Sequence, residues 1–485
     1  MLTLKLLFLT STAIPALHSS APPKALRVDE DVPAKLDALF EHCAEHGMLN
    51  AAVLLKRGGK TVYERAFGIA DPRSGRELEI ESAFYLASVS KQFTSMAAMV
   101  LSESGELGLD DRLTDYFPEF EPFAANVRIH QLMTHTSGIP DHYQLLGRLP
   151  ETLTNEDVRA LLVEHGALDF KPGTDFRYSN GGYVMLSMCA AKAGRGSFGE
   201  VLQKHVLEPL GMQHTLVYVE REPEVRARAH GFRPGGSLDD YALHTTGAGG
   251  MYSTVGDLAI WDAALHDGAL VSPELLELAY TPPLLPGSRP SNYGFGWVMN
   301  EDENGRLALH SGGLAAFSTY IVRNLDNRDT LILLSNQGST LVDIEELTDC
   351  IEATLGGDQP RLPLVRISIV LRRIIAEEGI DAALAHYQDV WDARPEAPVD
   401  LSESQLDSLG HEYLGGGQLK TALALFGRNV MSYPESANTW DSLGEAQLAA
   451  GMHAKARASY ERSLELNPGN RGATAALEKI EAAGH

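Results

Sequence analysis

Residues 85–100 read YLASVSKQFTSMAAMV, and the fold turns on how Ser88-Val89-Ser90-Lys91 is understood. A serine hydroxyl becomes a useful nucleophile only when a neighbouring group takes its proton. A lysine three positions later, at the head of an apolar helical run, shares the serine's face about one turn away. A serine just inside a helix N-terminus also meets the positive end of the dipole, which favours an oxyanion forming nearby. The competing reading is a capped helix start with an incidental lysine in its first turn. The pair alone does not decide, although it is the only Ser-x-x-Lys in the chain.

The chain around it is globular and acidic. It has 485 residues, of which 44% are hydrophobic and 22% charged, so disorder is not the expectation and two or three domains are. The net charge of −25, from 40 Lys+Arg against 65 Asp+Glu, excludes the basic face that nucleic acid or an anionic membrane requires. At the N-terminus, Lys5 precedes an apolar stretch from Leu6 to Leu17, then small residues at Ser19, Ser20 and Ala21. This is the grammar of an export signal over residues 1–20, and the stretch is too short to span a bilayer. The expected location is therefore outside the cytoplasm, periplasmic or secreted. The three cysteines, Cys43, Cys189 and Cys350, rule out a fully paired disulfide framework. Cys43 and Cys350 lie in helix-like segments near the two ends of the main domain, where an oxidising compartment would allow them to pair if they came within reach.

Residues 30–357 mix strand-like and helix-like segments. "NAAVLLKRGGKTVYERAFGIAD" reads as two strands about Gly58-Gly59, and "AFSTYIVRNLDNRDTLILLSNQG" as two more about an Asn/Asp turn. "SKQFTSMAAMVLSESGEL" reads as a helix closed by Gly105, and "LVDIEELTDCIEATLGG" as a helix ending in glycine. Strands near both ends with helices between predict an α+β domain whose sheet joins its termini. Residues 358–402 read as a linker and a degenerate helix pair. Over residues 403–485 the chain repeats: Gly410 and Gly444, Ala422 and Ala456, Phe426 and Tyr460, and Pro434 and Pro468 are each 34 apart. Both copies, followed by a capping helix, resemble tetratricopeptide repeats, in which small residues let paired helices approach and aromatics fill the groove. The resemblance implies an all-α repeat domain able to hold a protein partner.

Two further stretches give Ser88 and Lys91 their company. "FKPGTDFRYSNGGYVML" carries Tyr178-Ser179-Asn180 between a Pro-Gly turn and an apolar helix, and "LALHSGGLAAFSTY" carries His310-Ser311-Gly312-Gly313 at the start of a strand. In this order the three elements resemble the motif set of the serine β-lactamase and penicillin-binding protein superfamily: Ser-x-x-Lys, Tyr/Ser-x-Asn and Lys/His-Thr/Ser-Gly. The Tyr-x-Asn form is similar to the class C branch, with its D,D-carboxypeptidases, D-aminopeptidases and esterases. "IHQLMTHTSGIPDH", "HTTGAGGMYSTVGDLAIWDAAL" and "NYGFGWVM" match that branch as well. The fold implied is an antiparallel sheet flanked by helices, with an all-helical subdomain.

By this resemblance Ser88 is the acylated nucleophile, Lys91 and Tyr178 share the general base, and Tyr178 returns the proton to the leaving group. Asn180, His310, Ser311 and Gly312 hold the substrate. The backbone N–H groups of Ser88 and Gly313 form the oxyanion hole, glycine at 313 letting the strand come close. His135 and Thr136 are expected to be structural, and Trp297 a core residue near the cleft. Histidine rather than lysine at 310 removes the fixed cation that would hold a β-lactam carboxylate, which favours a peptidase or esterase. No metal or cofactor is implied, because the histidines are scattered without a ligand-spaced motif and no phosphate-binding or dinucleotide loop is present. Two classes of function therefore compete. One is an exported serine hydrolase cleaving an amide or ester of a small molecule or peptide. The other is a non-catalytic, penicillin-recognising sensor whose repeats recruit a partner. A sensor has no need to keep both nucleophile and base, which favours the hydrolase.

Overall fold

The structure is a computed structural model. It describes residues 32–482, apart from 148–149, 151, 220–222, 241–242, 303, 339–342, 357–358 and 395–397. The export signal expected over residues 1–20 lies outside the described residues. The chain divides into two compact units, with the break between Arg361 and Leu362.

The first unit is built on a six-stranded sheet. Its strands are β1 (Ala51–Arg57), β2 (Lys60–Phe67), β3 (Val298–Asp302), β4 (Gly305–Leu314), β5 (Phe317–Asn324) and β6 (Thr330–Ser335), in the order β3-β4-β5-β6-β1-β2 and antiparallel throughout. The strand that opens the unit therefore pairs with the strand that closes the sheet, Ala51 opposite Ser335. β1 and β6 are buried along nearly their whole length, consistent with near-continuous apolar runs covered on both faces.

Helices pack on the sheet and on one another: α1 (Val32–Glu45), α2 (Lys91–Glu103), the short α3 (His142–Leu146), α4 (Asn155–His165), α5 (Asn180–Ala193), α6 (Val255–Asp267) and α7 (Ile344–Gly356), of which α1 and α6 lie against the sheet. α2 and α5 are apolar on most faces and sit inside the unit, packed on each other, as all-round hydrophobic helices must. One contiguous core runs from β1 through both helices to β6. Below it lies a buried ion cluster, in which Asp262 accepts from Lys56 Nζ at 2.6 Å, from Arg323 Nε at 2.7 Å and from Thr330 Oγ1 at 2.9 Å. α1 packs on α7, which carries Cys350; Cys43, Cys189 and Cys350 are all free thiols and all buried. Burial, with a smaller push from Cys350, raises the Cys43 thiol to about 12.

The second unit is helical: α8 (Ile367–Glu377), α9 (Ile380–Asp392), α10 (Glu403–Gly415), α11 (Leu419–Ser432), α12 (Ala437–Ala449), α13 (His453–Leu466) and α14 (Arg471–Ala482). A Cβ on Gly410 would lie 2.6 Å from the Phe426 ring, and one on Gly444 would lie 2.9 Å from Tyr460. Glycine at the 34-residue spacing is thus fixed by an aromatic on the next helix. Among the described residues, no helix is long and apolar enough to cross a membrane.

Candidate active site

Ser88 sits in a 3-10 turn, Ala87–Ser90, and Lys91 is the first residue of α2. This corrects the expectation that the serine lies inside the α-helix. The tighter turn serves the pair better, because residues three apart eclipse on a 3-10 helix. The turn is anchored at its start through both backbone groups of Leu86. Leu86 N donates to Met251 O at 2.8 Å, and Thr319 Oγ1 on β5 donates to Leu86 O at 2.7 Å. Ala87 takes a left-handed φ of +48°, which a side-chain-bearing residue adopts only when its surroundings impose it. Its neighbours are buried while Ser88 is only half-buried, so the strained corner presents the hydroxyl to solvent.

Lys91 is fully buried, and its Nζ lies 3.1 Å from Ser88 Oγ, 2.9 Å from Asn180 Oδ1 and 2.8 Å from the carbonyl oxygen of Ala248. Burial lowers the amine from 10.5 to about 7, against a smaller upward pull from Asp141. The geometry of the neutral amine follows. Two of its three partners are carbonyl oxygens, which only accept, so both N–H bonds are committed to Asn180 and Ala248. Its lone pair is left facing the Ser88 hydroxyl.

Asn180 opens α5, and Ser179 caps that helix by accepting from Gly182 N at 3.0 Å. The loop 134–141 clamps this turn: Ser179 N donates to His135 Nδ1 at 3.1 Å, and Ser179 Oγ donates to Pro140 O at 3.1 Å. His135 is fully buried with a φ of +56°, and its ring lies 4.2 Å from that of Tyr178. It is a brace for the Tyr178-Ser179-Asn180 turn, in line with the structural role expected for it. The Tyr178 ring stands 4.8 Å from Lys91 Nζ. Burial drives the Tyr178 phenol well above its ordinary 10, and a hydrogen bond with Ser88 only partly offsets this. Burial therefore favours the protonated phenol over a phenolate.

The third motif lies within the ten-residue strand β4 rather than at its start. β3 pairs with β4 only as far as Val298 opposite Leu309, so from His310 onward β4 has β5 on one side and is an edge towards the site. A Cβ on Gly312 would lie 2.3 Å from Leu86 O and 3.0 Å from Ser88 N. At Gly313 the nearest atom would be 3.9 Å away. Glycine is therefore required at 312, where the strand meets the nucleophile turn, one residue before the Gly313 expected to let the strand come close to the substrate. Gly313 and Ser311 are exposed beside it. His310 is buried between Tyr293 OH, 2.8 Å from Nε2, and the Ser311 carbonyl, 2.6 Å from Nδ1. The carbonyl can only accept, so Nδ1 carries the proton and Nε2 accepts from Tyr293. Burial and then the Lys91 charge lower the imidazole to about 3, so the ring is neutral.

Ser88, Lys91, Tyr178, Asn180, His310 and Gly312 thus converge from three segments separated by more than two hundred residues. The comparisons with known proteins bear directly on this arrangement, since the beta-lactamase family model matches residues 36–353. The chain belongs to the beta-lactamase family. A tetratricopeptide-repeat model matches residues 437–470 in the second unit. Penicillin-binding protein 4* of Bacillus subtilis is 34% identical over 62% of this chain and 71% of its own length. Among solved structures, the octameric penicillin-binding protein homologue from Pyrococcus abyssi superposes with a TM-score of 0.58 and 27% identity, covering 71% of this chain and 81% of that one. The D-amino acid amidase from Ochrobactrum anthropi SV3 superposes with a TM-score of 0.57 over 67% of this chain and 99% of that one; at 23% identity it speaks for the fold alone.

Within this beta-lactamase-family site, three contributors carried no sequence signal of their own. The Ala248 and Leu86 carbonyls are backbone groups, and Asp141 was visible only as part of the quoted stretch IHQLMTHTSGIPDH. Asp141 Oδ2 accepts from Asn180 Nδ2 at 3.0 Å, and its Oδ1 accepts from Tyr143 N at 3.0 Å as the cap of α3. Trp297 is buried, within the core as expected. Among the described residues, no cluster of three or more His, Cys, Asp or Glu side chains is placed to hold a metal.

Proposed function

We propose that this chain is an exported serine hydrolase that cleaves an amide or ester through an acyl-enzyme on Ser88. The observation that carries the reading is the placement of Lys91: a buried amine lowered to about 7 whose Nζ lies 3.1 Å from Ser88 Oγ, so that its neutral form can take the serine's proton. The proton leaves Ser88 for Lys91 as Oγ attacks the substrate carbonyl. The protonated Tyr178, hydrogen-bonded to Ser88, then passes a proton to the departing amine or alkoxide and is replenished from Lys91. The developing oxyanion is received by the N–H groups of Ser88 and Gly313, with the corner at Gly312 setting the distance between turn and strand. Water repeats the sequence to release the acyl group.

Substrate class follows from His310. A neutral imidazole with both nitrogens engaged supplies no fixed positive charge to a substrate carboxylate. We therefore place the substrate among D-amino acid amides, short D-peptides and acyl esters ahead of β-lactams. The N-terminal grammar supports export, and the tetratricopeptide repeat supports a protein partner for the second unit.

The test compares the full chain with Ser88→Ala, each treated with a fluorescent penicillin and a fluorophosphonate and read by intact mass. The expected result is an adduct on the parent, stronger with fluorophosphonate, that is missing from the variant. No Ser88-dependent adduct with either reagent refutes the hydrolase reading. A panel of D-amino acid amides and acyl esters then ranks substrates, and fractionation of the producing cells locates the protein.

A further inference from the structure

Asp141 is buried at 7% exposure, and both of its oxygens act as acceptors. One accepts from Tyr143 N and holds the start of α3. The other accepts from Asn180 Nδ2, whose amide oxygen in turn accepts from Lys91 Nζ at 2.9 Å. A primary amide presents its oxygen or its NH2 group in either direction at nearly equal steric cost, so something must choose. Lys91 donates towards Asn180, but a neutral amine accepts as well and does not fix the choice alone. A carboxylate accepts only, and so forces the NH2 to its own side.

We propose that Asp141 is a positioning residue for the acylation step: it locks the orientation of the Asn180 amide and serves as the buried counter-charge of Lys91. The inference deepens the hydrolase reading above and rests on it for its catalytic consequence. With one Asn180 N–H committed to Asp141, the second is the donor left for the substrate amide, and Oδ1 is committed to Lys91. Electrostatics agree. The other titratable groups around Lys91 are Tyr178 and Tyr183 from the α5 segment, His135 and His142 from the clamping loop, and His310 from β4. The three histidines are lowered and the two tyrosines raised, all by burial first, so each is neutral. Burial pushes the Asp141 carboxyl up as well, but the hydrogen bonds from Tyr143 N and Asn180 and the Lys91 charge pull it back, and its charge acts upward on Lys91.

The test uses Asp141→Asn in the full chain. Asparagine caps α3 as well as aspartate does, so the fold is retained. Its NH2 then faces the NH2 of Asn180, two donors in contact, and the amide turns over. The companion is the reversal Asp141→Asn/Asn180→Asp, which keeps every hydrogen bond in the chain from Tyr143 N to Lys91 but moves the charge one residue closer. Two readouts are taken. The first is the Lys91 titration midpoint by NMR of 13C-labelled lysine, assigned with Lys91→Met. The second is the rate of Ser88 labelling by fluorophosphonate against pH.

In Asp141→Asn the midpoint falls by about half a pH unit or more. Labelling falls about 100-fold, the cost of a misplaced catalytic group. In the reversal the midpoint rises above that of the parent, because the carboxylate now lies directly against Lys91. An unchanged Lys91 midpoint in Asp141→Asn overturns the inference, as does a reversal in which the midpoint fails to rise. A parent without Ser88-dependent labelling refutes the hydrolase reading instead, and the Lys91 midpoints still judge Asp141.

Discussion

Replacing Lys91 by methionine should make the first unit's stability less dependent on pH, and the size of the effect follows from burial. In the unfolded chain the amine titrates at its ordinary 10.5; in the folded chain it titrates at about 7. Between those values the unfolded state binds one more proton, so stability rises with pH across this window and the penalty is complete below the lower value. At 1.36 kcal/mol per pKa unit, holding the amine neutral costs about 4 kcal/mol at pH 7 and about 2 kcal/mol at pH 9. Methionine removes that cost but also orphans the Asn180 and Ala248 oxygens, at about 1–3 kcal/mol each. The two effects nearly cancel at pH 7, so the net change there is uninformative. The hydrogen-bond loss does not vary with pH, whereas the titration does. The parent should therefore gain about 2 kcal/mol on Lys91→Met between pH 7 and pH 9. The assay is urea unfolding from pH 6 to 10, followed by fluorescence of Trp261 and Trp297 after Trp391 and Trp440 are changed to phenylalanine, so that the signal reports the first unit. Parallel pH dependences for parent and variant refute a Lys91 that is neutral in the folded state.

Three further outcomes are expected. The kcat/KM of the parent should climb through pH 7 as Lys91 deprotonates and stay level to pH 9, because the Tyr178 phenol is raised well above 10; stopped-flow hydrolysis of an acyl ester checks this, and a falling limb below pH 9 contradicts it. Gly312→Ala sets a methyl 2.3 Å from Leu86 O, and the resulting shift of β4 should cost about 100-fold in kcat while circular dichroism stays that of the parent. Asp262→Asn leaves Lys56 and Arg323 buried with their shared anion gone, and should lower unfolding free energy by about 3–5 kcal/mol in the same urea assay.

The hydrolase fold was legible because its chemistry falls on short motifs. Ser88-Val89-Ser90-Lys91, Tyr178-Ser179-Asn180 and His310-Ser311-Gly312 each admit a bland reading, and only their order along the chain makes them one site. The strands around Gly58-Gly59 and the Asn/Asp turn were equally plain, since turn residues punctuate apolar runs there. What escaped was what side-chain identity does not encode. A left-handed alanine at 87, the carbonyl of Ala248 and the end of the β3 pairing at Val298 are properties of backbone path. That Gly312 faces the nucleophile turn follows from strand alternation, and register is not readable from a Gly-Gly pair. Lys91 and Tyr178 were read from their motifs as sharing the general base, without the protonation state of either. Burial is the larger effect on both groups, and burial is known only once the fold is.

The pairing of β1 with β6 sets a clock on synthesis. Ser88 and Lys91 leave the ribosome early, but the strand that braces Leu86 carries Thr319, and the sheet that supports it closes only when Ser335 meets Ala51. At roughly 5–20 residues per second, tens of seconds separate the appearance of the nucleophile from the strand that aligns it. Over that interval the growing chain carries every atom of the Ser88–Lys91 pair without the support that makes it reactive. Ser88 and Lys91 thus acquire their aligned surroundings only once the whole first unit exists.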